Sequence, residues 1–285
     1  MKLIITDPHI TEQTLLELEG IFNEIYQQEA DELIMLGDYY NKKKPNAREI
    51  LFGTKWAVKF KEKYKKVIFL RGNHDKTQDI SAIDYLQYLG IKVVDNYVDE
   101  NNNFYGHFML NESKFAFGTG KCGIKDLAHY NMVFLGHQHS FQEIAGHIWH
   151  IGSVRYVGFG EVCDKSKYIL KLAQKPEFIQ LHTPIPMVDV KSVKELPNIN
   201  PKTKVRCLVT SFDQFKREIN EISKWKDKFA EFKLKLEFGD NPITTSDNKD
   251  IKREKKNLQQ LITQYIEKIE DKDVKELLKK QIENK

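Results

Sequence analysis

Short unbroken apolar runs alternate with stretches of helical spacing through the first half of the chain. Leu3-Ile4-Ile5, Leu33-Ile34-Met35-Leu36 and Val67-Ile68-Phe69-Leu70 contain no polar residue. Runs of this length without alternation predict strands buried on both faces, the habit of parallel sheets. Between the first two, Leu15, Leu18, Phe22, Ile25 and Tyr26 recur at helical spacing, with Thr11 placed as a cap. A second amphipathic stretch over 50–64 carries Ile50, Leu51, Trp56, Val58 and Phe60. Strands alternating with helices predict an α/β domain, whose ligand groups gather at the carboxyl ends of the strands.

The pattern changes further on. Stretches 168–172 and 177–182 read as strands that close the first region at about residue 185. Thr183-Pro184-Ile185-Pro186, then Pro197 and Pro201, read as a connection. Stretch 204–210 is strand-like, and Phe212, Phe215, Ile219, Ile222 and Trp225 form a helical stripe. Phe232, Leu234, Leu236 and Phe238 alternate with charged residues as in a half-buried strand. This predicts a small β-α-β unit within 186–248. In 249–285, Leu258, Leu261, Ile262, Tyr265, Ile266 and Ile269 make one helical face, and Val274, Leu277, Leu278 and Ile282 a second. Such faces serve either another protein or the chain's own body. The expected division is thus 1–185, 186–248 and 249–285.

Charge adds a little to this picture. The 285 residues carry a net charge of +4, and residues 191–285 hold 23 Lys and Arg against 17 Asp and Glu. The preceding part holds 22 against 24. The basic excess permits a nucleic-acid partner, and a solvated lysine-rich surface accounts for it equally well. No apolar run approaches the roughly 20 residues of a membrane span. A cleaved leader is not expected, because the first strand begins at Lys2. Cys122, Cys163 and Cys207 are scattered, which argues against a disulfide framework or zinc ribbon and suits a reducing cytoplasm. Gly118-Thr119-Gly120-Lys121 lacks the remaining positions of a phosphate loop, with Phe115 and Cys122 where Gly and Ser or Thr are needed.

The chemistry lies in five short motifs: Asp7-Pro8-His9, Gly37-Asp38, Gly72-Asn73-His74-Asp75, Gly106-His107 and Gly136-His137-Gln138-His139. Each sits at or just past a predicted strand end. Singly they are ordinary turn residues. Together they supply hard oxygen and imidazole donors for two divalent metals, a set suited to Mn, Fe or Mg rather than structural zinc. Two adjacent metals clamp the attacking and leaving oxygens of a phosphoryl centre.

In order and context these motifs resemble the calcineurin-like metallophosphoesterase superfamily, and within it the SbcD-type nuclease subunits of prokaryotes and tailed phages. Gly106-His107-Phe108-Met109-Leu110 and Phe134-Leu135-Gly136-His137-Gln138-His139 look like that family's fourth and fifth motifs. The likeness covers 1–185 by motif and the remainder by layout. It implies a β-sandwich flanked by helices, with a β-α-β cap contacting DNA and C-terminal helices gripping an SbcC-type coiled-coil ABC ATPase. A homodimer in the cytoplasm is implied as well. It places Asp7, His9, Asp38 and His139 on one metal and Asp38, Asn73, His107 and His137 on the other, with His129 as the alternate to His107. The metals are expected to be Mn2+, or else Mg2+ or Fe2+, and to activate a hydroxide for cleavage of DNA phosphodiesters. His74 would be a catalytic histidine outside the ligand set, Asn41 its partner and Asp75 the residue orienting its turn. Where the family often has Asp or His, Asn41 lacks the charge to hold His74 protonated, so activity would fall off sooner as pH rises. The lysines and tyrosines of 39–44 are candidates for phosphate contacts or for an exposed loop. Other readings are a small-molecule or cyclic-nucleotide phosphodiesterase of the same superfamily, or a metal-free adaptor on the same fold.

Overall fold

The computed structural model describes residues 1–78, 80–113, 122–159, 161 and 166–236, with single helical positions at 263, 266, 267 and 276. The Gly118–Lys121 stretch, Cys163 and most of the tail faces lie outside the described residues. The chain divides into two compact units, Met1–Ile185 and Pro186–Lys285.

The first unit is a mixed α/β sandwich. One sheet has the order β11-β10-β1-β2-β3-β4, formed by β1 (Lys2–Ile5), β2 (Glu32–Met35), β3 (Lys66–Leu70), β4 (Lys92–Val94), β10 (Lys167–Leu172) and β11 (Pro176–Leu181). Strands β1 to β4 run parallel, and β10 returns antiparallel beside β1. The other sheet is ordered β5-β6-β7-β9-β8, from β5 (Tyr97–Val98), β6 (Phe104–His107), β7 (Val133–Gly136), β8 (Gln142–Ala145) and β9 (Ile148–His150). Its β6 and β7 are parallel, with Phe104 opposite Val133 and His107 opposite Gly136.

Burial on both faces explains the unbroken apolar runs. Leu3, Ile5, Leu33, Met35, Val67 and Phe69 turn toward α1 (Leu15–Tyr26) and α2 (Ala47–Lys63), where Phe22, Trp56 and Phe60 complete the layer. Ile4, Ile34, Leu36, Ile68 and Leu70 point the other way and pack with Tyr105, Phe134 and Trp149 of the second sheet. Each such side chain contributes about 1.5–3 kcal/mol on burial.

Helix boundaries differ in detail from the pattern. Thr11 precedes a short 3-10 turn, Glu12–Thr14, and α1 follows it. Helix α2 starts at Ala47, earlier than its apolar face, because Asn46 accepts from the Glu49 amide and Glu49 accepts from the Asn46 amide. That reciprocal pair satisfies two otherwise unpaired donors, and Asn46-x-x-Glu49 was its sequence signal.

The second unit holds a parallel sheet of order β12-β13-β14, made of β12 (Met187–Val190), β13 (Lys204–Val209) and β14 (Glu231–Leu236), with α3 (Phe212–Trp225) between the last two. Strand β12 is an addition to the expected β-α-β unit. It falls at the end of the proline-rich connection, where composition masks it. Val205, Cys207, Phe215, Ile219, Ile222 and Leu234 form this unit's core, and Ile266 is buried in the same cluster. At that position the tail's apolar face serves the chain itself. No helix among the described residues is long and apolar enough to cross a membrane.

Candidate metal centre

The motif residues converge where parallel strands of both sheets end. Asp7 and His9 follow β1, Asp38 follows β2, Asn73, His74 and Asp75 follow β3, His107 ends β6, and His137 and His139 follow β7. Asp7, His9, Asp38 and His137 adopt left-handed backbone, with φ of 53°, 47°, 49° and 80°. Non-glycine residues rarely do so, at a cost of about 1–3 kcal/mol each, and such strain gathers where geometry serves a site. Glycine is required close by. A Cβ on Gly72 would lie 2.0 Å from Asp38 Oδ1 and 2.2 Å from the Asp38 amide.

Two adjoining groups of donors result. Asp7, His9 and His139 form the first, with His9 Nε2 at 3.6 Å and His139 Nε2 at 3.9 Å from Asp7 Oδ1. The two Nε2 atoms are 3.0 Å apart. Asp38, His107 and His137 form the second, with His107 Nε2 at 3.3 Å from Asp38 Oδ2. Asp38 Oδ2 also lies 3.7 Å from His9 Nε2, so this one carboxylate faces both groups. Asn73 Oδ1 sits 3.1 Å from His107 Nε2 and 2.7 Å from His137 Nδ1, joining the second group.

These residues fit divalent cations. Asp7 is fully buried, yet its Oδ1 has no hydrogen-bond partner. A buried carboxylate oxygen without a partner is costly, and a cation is what removes the cost. The other oxygen, Oδ2, accepts from Thr6 Oγ1 and from the His137 amide at 3.0 Å, which fixes the carboxylate's orientation. The mixed oxygen and imidazole set, without thiolate, suits hard or borderline cations.

The charges support the same picture. Burial opposes ionisation of Asp7, but His107, His9 and His139 hold its carboxyl far below the usual range. Burial likewise disfavours protonation of His107, but Asp7 and Asp38 outweigh it and raise the ring to about 9. His137 is lowered, by burial first and by its neighbour His107 second.

The remaining site residues have distinct places. His74 lies near His9 and Asp38, close enough to group with them. Its amide donates to Asp38 Oδ1 at 2.8 Å, and its Nδ1 is 2.8 Å from the Asn41 main-chain oxygen. The partner at Asn41 is therefore the backbone carbonyl, which any residue type would supply. Asp75 joins none of the donor groups. Its carboxylate accepts from the amides of Tyr39, Tyr40 and Gly72 at 3.1, 2.9 and 3.1 Å, tying the loop after β2 to the loop after β3. Burial pushes Asp75 up to about 7 despite those donors.

Tyr39 and Tyr40 are core residues rather than phosphate contacts. Both are fully buried, with hydroxyls on the Gly53 carbonyl and on Tyr85. Lys42 pairs with Glu49 at 3.3 Å, whereas Lys43 lines a cleft of about 600 Å3 beside Asn73 and His107, with Arg71 and Lys76. His129, the alternate to His107, packs against Tyr130 with the rings tilted and is outside every donor group among the described residues. His150 is buried between Ser113 Oγ and the Gly136 carbonyl, and burial lowers its ring to about 4, so it is neutral.

Sequence reasoning missed Glu161 and Lys167. Glu161 Oε1 is 3.1 Å from His139 Nδ1, and Lys167 Nζ is 3.0 Å from Glu161 Oε2. Nothing in the sequence marks Glu161, an isolated acid between glycine-rich and charged stretches. Lys167 stands just before the strand-like run 168–172, and it is buried.

The comparisons agree with the fold at the level of family. The calcineurin-like phosphoesterase family matches residues 3–194, and the chain belongs to that family. Its members use divalent metals in phosphoester hydrolysis, and the donor groups above lie within the matched region. No curated protein matches the chain. Among solved structures, a single mutant of Vps29 from Entamoeba histolytica is similar at 12% identity and a TM-score of 0.37. That match covers 64% of this chain and 99% of the other, and likeness at this level carries no functional argument.

Proposed function

We propose that the chain is a metal-dependent DNA nuclease, the SbcD-type subunit of an SbcCD-like recombination and repair complex, working with two Mn2+ ions. The observation that carries the hydrolytic reading is Asp38. Its Oδ2 faces His9 at 3.7 Å and His107 at 3.3 Å, one carboxylate serving two adjoining donor groups. Asp7, His9 and His139 would hold one cation with Asp38. Asn73, His107 and His137 would hold the other with Asp38. When bound, two such cations neutralise phosphodiester charge and acidify water.

The protein's own groups do the rest. Asp75 fixes the loops that carry Asp38 and His74 by accepting three amides. The Asn41 carbonyl accepts a hydrogen bond from His74 Nδ1–H, which leaves Nε2 to hold or move a proton at the scissile phosphate. Lys43 lines the adjoining cleft, where Arg71 pairs with Asp84 at 2.7 Å and Lys76 with Asp95 at 2.9 Å, so Lys43 is the cation best placed to meet a diester chain. The motif order favours DNA over a small phosphodiester.

The purified chain should cleave linear DNA with Mn2+ and stop when a chelator is added. Asp38→Ala should lower turnover at least 100-fold, since it removes a group common to both cations. Nuclease activity at the wild-type level in that variant would remove the dinuclear reading. Cleavage of bis(p-nitrophenyl) phosphate without cleavage of DNA would turn the proposal toward a small-molecule phosphodiesterase.

A further inference from the structure

We infer that Glu161 is a positioning residue for the Asp7–His9–His139 group, making it the tighter of the two cation sites. The inference rests on the dinuclear reading above. His139 directs Nε2 toward Asp7 and His9, and Nδ1 toward Glu161 Oε1 at 3.1 Å. An ionised carboxylate only accepts, so the ring proton sits on Nδ1 and the Nε2 lone pair faces the donor group.

The carboxylate is itself fixed from several directions. Its Oε1 also accepts from the amides of Val157 and Gly158 at 3.1 and 2.9 Å. Its Oε2 meets Lys167 Nζ at 3.0 Å. The same ammonium donates to the His139 carbonyl at 2.8 Å and to Ser153 Oγ at 3.2 Å. Lys167 thus holds His139 by its main chain and, through Glu161, by its ring. Ser153 Oγ lies 3.2 Å from the same carbonyl and closes the arrangement.

Among the described residues, no carboxylate stands behind a ring of the second group. His107 Nδ1 is backed by the Leu36 carbonyl at 2.7 Å, a neutral acceptor. A carboxylate behind a ligating imidazole raises its basicity more than a carbonyl does, and losing such a partner weakens metal binding about 10–100-fold. The two sites therefore differ in affinity, and the site containing His139 fills first.

The test is a Mn2+ titration of the full chain without substrate, by calorimetry and by the electron paramagnetic resonance of bound Mn2+. The wild type should take up two equivalents in two steps. Glu161→Ala should weaken the tighter step about 10–100-fold and leave the other unchanged. Glu161→Gln, which keeps an acceptor for Nδ1–H but loses the charge, should fall between the two. Thermal melts of each metal-free variant separate folding from binding. Two unchanged steps in Glu161→Ala, with or without a lower melting temperature, would overturn the inference and leave the dinuclear reading standing. Equal weakening of both steps would overturn the assignment to one site. A wild-type chain that takes up no Mn2+ would overturn the dinuclear reading and the inference together.

Discussion

His107 shows how one residue ties metal uptake to pH. Its Nδ1 donates to the Leu36 carbonyl, so the proton that titrates is the one on Nε2, facing Asp38. Burial resists that proton, but Asp7 and Asp38 hold it and raise the ring to about 9. At neutral pH the metal-free ring is charged and must lose the Nε2 proton before it can donate to a cation. Cation uptake should therefore release about one proton from this group at pH 7 and clearly less at pH 9, with affinity rising as pH rises. The same raised value stabilises the metal-free fold fully below the ordinary histidine range, and that stability is lost as pH climbs through about 9. Calorimetry in buffers of different ionisation enthalpy counts the protons. Mn2+ affinity independent of pH between about 6.5 and 9 would remove His107 from the donor set.

At the scale of elements, the site depends on how closely the ends of β2 and β3 approach. Gly72 lies against Asp38 with no room for a side chain, and the nearest atoms include main chain, which cannot move aside cheaply. Gly72→Ala should push Asp38 off both donor groups. A destabilisation of about 1–3 kcal/mol in urea unfolding and weaker Mn2+ uptake are the expected results. A variant with wild-type stability and affinity would show that the loop yields. The same approach explains what could be read from sequence. Donors near strand ends were legible because Asp38, Asn73 and His137 stand two or three residues beyond a four-residue apolar run, whereas His107 follows only the brief Phe104-Tyr105-Gly106. Partners defined only by folding were not. The Asn41 carbonyl acts through its main chain, which residue type does not reveal. Tyr39 and Tyr40 stand beside lysines in the sequence yet turn into the core, and Glu161 reaches His139 across 22 residues. Strand β12 was hidden because Met187–Val190 follows directly on the proline-rich connection.

For the whole molecule, Ile266 ties the tail to the core of the second unit. Ile266 is buried with Phe215, Ile219 and Ile222, and losing such a side chain removes about 1.5–3 kcal/mol of burial. Deleting 249–285 should lower the thermal midpoint of the second unit while the first still takes up two Mn2+. If the proposed SbcC-type ATPase docks on the tail, the truncated chain should also fail to co-purify with it. An unchanged midpoint would mean that Ile266 contributes nothing to the unit's stability. The first unit's sheet order has a further consequence, for synthesis. Strand β1 pairs on one side with β10, made more than 160 residues later, and the donors run from Asp7 to His139 with Glu161 and Lys167 beyond. Domains of a growing chain fold as units. A nascent chain on the ribosome thus carries early donors but no assembled centre, and the open edge of β1 stays a hazard for mispairing until residues 167–172 emerge.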